Sequence, residues 1–294
     1  MFKTKSILLI CCLGTLISLK SPIYTGDLNI ILNSINKNYD IPEESGVVTN
    51  LPWRNNEDFL KAKEKYKTPI IMAGYCAVLN NPLPGEEFNV ALAAKSINGQ
   101  IIKPDKIFSQ NNSIGPFTKI RGYKKGSSYL DENIVMTEGG GVCKIASALY
   151  NLAVLSNLDI IERYNHSMPI NYVPYGQDAA IAYGIKDFRF KNTTDSNILI
   201  WSKLIGNRLY MGFYGAVYSP KVTWNHETTD IVKPSIKYIK NENLKPGEMV
   251  VKIAGMDGAK VKSTVTIVYE NGTIAIKKMP PSNYLPMTRL IEIN

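Results

Sequence analysis

A stretch that is apolar on almost every side of a helical wheel has nowhere to lie except inside a protein, and Lys144–Asn157 is such a stretch. Ile145, Ala146, Ala148, Leu149, Tyr150, Leu152, Ala153, Val154 and Leu155 leave it no solvent face of any width. The pattern predicts a buried helix. Directly before it stands Gly139-Gly140-Gly141-Val142-Cys143. Consecutive glycines admit positive φ and let the backbone close tightly on a neighbour or a bound group. Any fold for this chain must bury that helix and keep a tight glycine turn at its start, and Cys143 sits at the junction.

Around this element the periodicities alternate. Glu57–Tyr66 and Phe88–Ile97 carry helical spacing, the second with Gly99 placed as a C-terminal stop. Ile70–Leu79 predicts a strand, and Ile198–Leu204 with Arg208–Tyr214 predicts a hairpin across Gly206-Asn207. Gln110–Gly126 reads as loop, broken by Gly115-Pro116 and Arg121-Gly122. Beyond Gly215 the pattern is extended, with Val250–Ala254, Val261–Glu270 and Thr273–Lys278, the last two joined by Asn271-Gly272. A chain of 294 residues, 45% hydrophobic and 20% charged, suffices for one large core or two modest ones. The fold class is α+β followed by a small all-β region. The organisation expected is a targeting segment over 1–20, a helical and linker region over 21–85, a mixed domain over 86–215 and a β-rich region over 216–294.

Residues 1–20 set the compartment. Met1–Lys5 is short and basic, Ile7–Ser18 is uncharged and apolar, and Lys20 closes it. About a dozen apolar residues is a signal-peptide core rather than a membrane span, which needs ~20. Export is expected, with membrane contact only through this segment if it is not cleaved. Cys11 and Cys12 belong to it, leaving Cys76 and Cys143 for the body of the protein. Two cysteines in an oxidising compartment read first as one disulfide. The net charge of +9 suits an anionic neighbour such as a wall polymer. No zinc-finger spacing, arginine-rich run or aromatic–basic platform points to nucleic acid.

At or beside the first turn of a helix, unpaired N–H groups and the positive dipole end favour a thiolate over a thiol. The same N–H groups suit an oxyanion on an attacked acyl carbon. The Walker lysine and Ser/Thr spacing that would make the glycines a phosphate cradle is absent. A thiolate mechanism wants a base, and the chain holds two histidines, His166 and His226. His166 follows the buried helix closely enough for the chain to return to the helix start. His226 lies in the strand-like Val222–His226 and reads as structural. Asp178 is a candidate to orient His166, and Glu138 is another. One Cys and one His without further ligands at zinc spacing give no metal site, and no cofactor is expected.

These residues resemble a known family. Phe108-Ser109, Gly115-Pro116, Arg121-Gly122-Tyr123, Gly139-Gly140-Gly141-Val142-Cys143, Leu149-Tyr150-Asn151, Asn165-His166-Ser167, Tyr172-Val173-Pro174, Asp178-Ala179, Tyr183-Gly184 and Asp187-Phe188 are similar in sequence and order to the VanW domain. The resemblance spans about Asn89 to Gly215. The tail, with Leu244–Glu248 and Tyr284-Leu285-Pro286, resembles a G5 module. The family occurs in exported envelope proteins of Gram-positive bacteria, and the resemblance implies peptidoglycan L,D-transpeptidation. Cys143 would be the nucleophile, His166 the base and acid, and Asp178 its orienting partner. Gly140, Gly141, Lys144, Tyr150, Ser167 and Arg121 would contact substrate or its oxyanion. The implied partners are peptidoglycan stem peptides. Lys144 departs from the family's usual glutamine, Ala146 and Ala148 replace hydroxyl residues, and Gln177 and Phe117 stand where other residues are common. Two other readings stay open: a wall-binding module with an inert Cys143, and a cysteine peptidase acting on peptidoglycan stems.

Overall fold

In a computed structural model, residues 39–294 are described except 81, 83, 84, 131 and 132. The expected targeting segment over 1–20 and a helical spacing over Asp27–Asn36 lie outside the described residues. The buried helix spans Cys143–Leu155. Every residue from Ile145 to Ala153 is inaccessible to solvent, Ser147 and Asn151 included.

The helix packs on a five-stranded antiparallel sheet ordered Gly46–Val47, Ile70–Val78, Arg208–Gly215, Ile198–Ile205 and Ile101–Ile102. Residues 46–78, part of the segment expected as a helical and linker region, thus supply strands to the same sheet as 198–215. Successive side chains of a strand face opposite sides, and strand Ile70–Val78 divides its residues between two cores accordingly. Tyr75 and Ala77 join the large core that holds the buried helix. Cys76 and Val78 point the other way, into a second core with Trp53, Phe59 and Tyr214. Helix Glu57–Tyr66 closes that second face. Its start is set by the Asn56 side chain, which accepts the Phe59 N–H at 2.9 Å, with Glu57 and Asp58 in the first turn and Lys63 and Lys65 in the last. Helix Glu86–Ile97 lies on the first face, against strand Ile198–Ile205.

Among the described residues strand outweighs helix, 40% to 17%, so this part of the chain is mostly β with few helices. The span expected as loop contains a short helix, Gln110–Ile114, and a 3-10 turn, Lys119–Arg121. A hairpin the periodicity did not signal joins Lys125–Leu130 to Asn133–Glu138. Its first strand begins Lys-Gly-Ser-Ser, which lacks the β-branched alternation of a self-evident strand.

The C-terminal region is all β. Strand Lys221–Val232 runs antiparallel to Gly258–Val268, which also pairs with Ile274–Lys278 and, near its start, with Ser282–Tyr284. A separate sheet orders Ile236–Lys240, Arg289–Ile293 and Met249–Ile253. Val265, Ile267 and Met279 enter the same core as the buried helix, and Trp224 meets Tyr150 edge to face at 5.6 Å. The β region therefore shares apolar interior with the mixed domain.

Cys76 and Cys143 are both free. The disulfide that two cysteines first suggest is not formed, because strand alternation sends Cys76 to the face of the sheet away from the buried helix. Burial pushes the Cys76 thiol up to about 12, so it stays protonated and unreactive. Cys76→Ala is expected to fold cooperatively, about 1 kcal/mol less stable in urea titration from the small void left. Mass spectrometry of protein held under oxidising conditions is expected to find two unlinked thiols. A Cys76–Cys143 cross-linked peptide would contradict this account of the sheet.

Candidate active site

The glycine turn explains where Cys143 stands. Gly139 and Gly141 hold φ of 74° and 101°, in the left-handed region that side chains resist. Gly140 has no room for a Cβ, which would collide with the Gly126 carbonyl of the hairpin. The Asn89 side-chain amide donates to the Gly140 carbonyl at 2.9 Å and fixes the turn from helix Glu86–Ile97. Cys143 is then the first residue of the buried helix, at the positive end of its dipole. The amides of Val142 and Lys144 donate to Gly139 and Gly141 carbonyls, so they are engaged within the turn and do not serve as open oxyanion donors.

One face of the helix organises the rest. Cys143, Ser147 and Asn151 lie four residues apart, about 6 Å per step. They meet Ile181, Ala179 and Gln177, two residues apart on an extended segment with a nearly equal step. The Ile181 N–H donates to Cys143 Sγ at 3.4 Å, the Ala179 N–H to Ser147 Oγ at 3.0 Å, and the Asn151 amide to the Gln177 carbonyl at 2.9 Å. With 177, 179 and 181 turned to the helix, alternation turns Asp178 away from it.

Asp178 meets His166. The His166 backbone N–H donates to Asp178 Oδ2 at 2.7 Å and Nδ1 lies 2.6 Å from the same oxygen. Arg163 Nη2 donates to Oδ1 at 2.7 Å and Tyr284 Oη donates to it at 2.5 Å. The carboxylate thus has two partners on each oxygen while 1% exposed, which offsets the cost of burying its charge. Burial acts to raise its pKa, but these bonds, His166 foremost, hold it at about 2. With Nδ1 committed to Asp178, the imidazole turns Nε2 towards the cavity, 3.5 Å from Tyr172 Oη.

The Cys143 thiol and the His166 imidazole line the same cavity, and each shifts the other's proton affinity. Burial alone would lower the imidazole pKa, yet Asp178 and then Cys143 raise it to about 9. Burial alone would raise the thiol, yet the neighbouring His166, the Ile181 amide and Lys144 bring it below its ordinary value. The two shifts run in opposite directions, and both favour the thiolate–imidazolium form of the pair. Both line a cavity of about 240 Å³ with Gly141, Lys144, Ser167, Tyr172, Ile181 and Lys186 among its walls.

The remaining residues singled out from the sequence fall in different places. Gly140 is buried against the hairpin, outside the lining. Tyr150 is two turns along the helix, fully buried between Phe188 and Trp224. Arg121 is exposed on the 3-10 turn, where its guanidinium donates to the Gly115 carbonyl, and it does not line the cavity. Glu138 accepts the Lys119 N–H at 2.9 Å, away from the imidazole. His226 stacks on Trp224, with Gln177 donating to its Nε2 at 2.9 Å. Lys144 lines the cavity yet forms a buried ion pair with Glu86 at 3.1 Å, its ammonium 4.7 Å from the Tyr172 ring centroid. The charge introduced at the glutamine position is therefore matched by an opposite charge. Arg163, Tyr172, Glu86 and Tyr284 were given no role at the site by the sequence. Arg163 and Tyr172 stand in or beside family-like motifs, but nothing in spacing links Tyr284 to Asp178, 106 residues earlier. Among the described residues no three His, Cys, Asp or Glu side chains gather as a metal site.

A glycine-turn cysteine at a buried helix start, with a His–Asp pair beside it, is an arrangement that can support thiol chemistry. Compared with known proteins, residues 85–214 match the family described as "VanW like protein" and residues 223–286 match the G5 domain. The chain carries a VanW-like domain followed by a G5 domain. It is 32% identical over 142 residues to the uncharacterized protein YoaR of Bacillus subtilis (strain 168), covering 48% of this chain and 47% of that one. It is 30% identical over 158 residues to the vancomycin B-type resistance protein VanW of Enterococcus faecalis (strain ATCC 700802 / V583), covering 52% of this chain and 55% of that one. The chain thus spans about half the length of these curated relatives. A solved IgA1 protease G5 domain matches 26% of this chain and 92% of its own, at 21% identity with a TM-score of 0.17.

The ion pair has a kinetic signature. Iodoacetamide is expected to alkylate Cys143 with an acid limb below the ordinary thiol midpoint, and with a second inflection as His166 loses its proton near pH 9. His166→Ala is expected to remove the second inflection and move the first upwards. A single ordinary thiol titration in the unaltered protein would refute the pairing.

Proposed function

We propose that this protein is a cysteine acyltransferase acting on peptidoglycan stem peptides, of the L,D-transpeptidase type, exported to the outer face of the membrane or the wall. The observation that carries this reading is that Cys143 and His166 share the wall of a small cavity while Asp178, buried behind, holds the imidazole. A structural cysteine needs neither a partnered imidazole nor a buried carboxylate behind it. The name of the enterococcal relative, a vancomycin resistance protein, supports a wall setting, as does the G5 domain, which we read as the part that holds the chain to the wall.

In this mechanism the Cys143 thiolate attacks the carbonyl carbon of the third residue of a tetrapeptide stem, forming a C–S bond. His166 gives its proton to the departing nitrogen as the C–N bond breaks, and D-alanine leaves with that proton. A thioester remains on Cys143. An amine of a neighbouring stem attacks the thioester, His166 takes its proton, the C–S bond breaks and the thiolate returns. The new amide is a 3→3 cross-link. Lys186 in the cavity wall suits the carboxylate of the terminal alanine, while Lys144 is already balanced by Glu86.

A non-catalytic role in holding the wall draws on the G5 domain and leaves the Cys143–His166–Asp178 alignment without a purpose. Hydrolysis of stems uses the same thioester with water as acceptor, and product analysis separates it from transfer. Purified protein incubated with tetrapeptide muropeptides is expected to release D-alanine, form a thioester adduct on Cys143 visible by intact mass, and yield 3→3 dimers. Cys143→Ala is expected to reduce release by on the order of 10³-fold or more while retaining the fold. Equal turnover by wild type and Cys143→Ala would refute the proposal, and trimmed monomers without dimers would turn it into a hydrolase.

A further inference from the structure

Besides the apolar core they share around Tyr150 and Trp224, the VanW-like and G5 domains exchange a set of hydrogen bonds behind the His166–Asp178 pair. Strand Ser282–Tyr284 of the G5 domain pairs with the start of Gly258–Val268 inside its own sheet and turns its other edge to the segment around His166. The Leu285 N–H donates to the Ser167 carbonyl at 2.7 Å, and the Asn165 side-chain amide donates to the Asn283 carbonyl at 2.8 Å. Those two bonds grip the residues on either side of His166. Arg163 Nη1 donates to Ser282 Oγ at 2.8 Å, and Tyr284 Oη donates to Asp178 Oδ1 at 2.5 Å. Tyr284 also accepts the Gly176 N–H at 2.9 Å, and its ring meets Tyr175 at 5.2 Å.

We infer that the G5 domain is a structural part of the catalytic unit, with Tyr284 as a positioning residue for Asp178 and, through it, for His166. The inference rests on the Cys143 nucleophile reading. Asp178 Oδ1 is held on one side by Arg163, which belongs to the same domain, and on the other by Tyr284. With both in place the carboxylate cannot rotate about its Cα–Cβ or Cβ–Cγ bond, and Oδ2 stays on His166 Nδ1. Ser282 performs the same service one step back, since it fixes the guanidinium that fixes Oδ1. Tyr284 touches neither the cavity nor the sulfur, so its effect on the reaction runs through Asp178 alone. Asp178, Cys143 and Tyr172 face His166, with Arg163 and Tyr284 behind Asp178 and with Lys186 and the Lys144–Glu86 pair in the cavity wall. The G5 domain reaches the His166–Asp178 pair through the hydroxyls of Tyr284 and Ser282, the Leu285 N–H and the Asn283 carbonyl, and it meets the segment that carries Asp178 again where Gln177 donates to His226.

The test uses the full chain, with Tyr284→Phe and Ser282→Ala each compared with wild type for the pH profile of Cys143 alkylation and for D-alanine release. Loss of orientation is expected to narrow the window of thiolate reactivity from both sides and to slow release about tenfold in Tyr284→Phe, less in Ser282→Ala. In an Asp178→Asn background, Tyr284→Phe is expected to add nothing, since the group it acts through is already gone. Cooperative unfolding of each variant checks that the domains stay joined. A wild-type window that Tyr284→Phe leaves unchanged or widens overturns the inference alone. Full additivity with Asp178→Asn also overturns it. A wild-type Cys143 that titrates as an ordinary thiol overturns the nucleophile reading and this inference together.

Discussion

The register between one helix face and one extended segment governs the site. Four helical residues and two extended residues advance the chain by nearly the same distance. Cys143, Ser147 and Asn151 can therefore meet Ile181, Ala179 and Gln177 rung by rung. Slipping the extended segment by one residue would turn Asp178 into the helix and Ala179 towards His166. The polar side chains of an otherwise apolar helix are the means of preventing that slip. Ser147 and Asn151 are wholly buried, and each is committed to the backbone of the segment that carries the acid. The fold thus converts two hydrogen-bonding side chains into the placement of a third residue they never touch.

Charge follows from that placement. A carboxylate buried behind an imidazole, and saturated by Arg163, Tyr284 and the His166 amide, cannot take up a proton easily. The imidazole in front of it keeps its own proton at neutral pH, and the sulfur beside that releases its proton more easily than an ordinary thiol. Each step depends on exclusion of water from the one behind it. Cys76 shows the contrast within the same chain: more deeply buried, and with no imidazole against it, it remains a thiol.

Parts of this were legible in the residues. Apolar character all round Lys144–Asn157 demands burial, and the three glycines demand a tight approach, so the helix and its turn could be read directly. The helix Glu57–Tyr66 and the hairpin across Gly206-Asn207 follow from caps, periodicity and turn chemistry, all local properties. What could not be read depends on distant partners. The hairpin Lys125–Glu138 has a weak strand signal and gains its form by lying on Gly140. Tyr284 is an ordinary aromatic until the G5 strand is folded against Asp178. Arg121 and Tyr150 lie within family-like motifs but serve a loop carbonyl and a packed core, because membership of a motif does not say which side of the backbone a residue faces. Cys76 needed its strand and the parity of its position before its face of the sheet could be assigned.

The bond from Tyr284 to Asp178 closes a loop of 106 residues, and a chain that leaves the ribosome or crosses a membrane amino end first presents the carboxylate long before the phenol. Until the later strand arrives, the acid has one restraint fewer and the sulfur's partner is less firmly aimed. A nascent protein in that interval holds its buried acid on fewer bonds, and the restraints on Asp178 are complete only once the last strand of the sheet has docked.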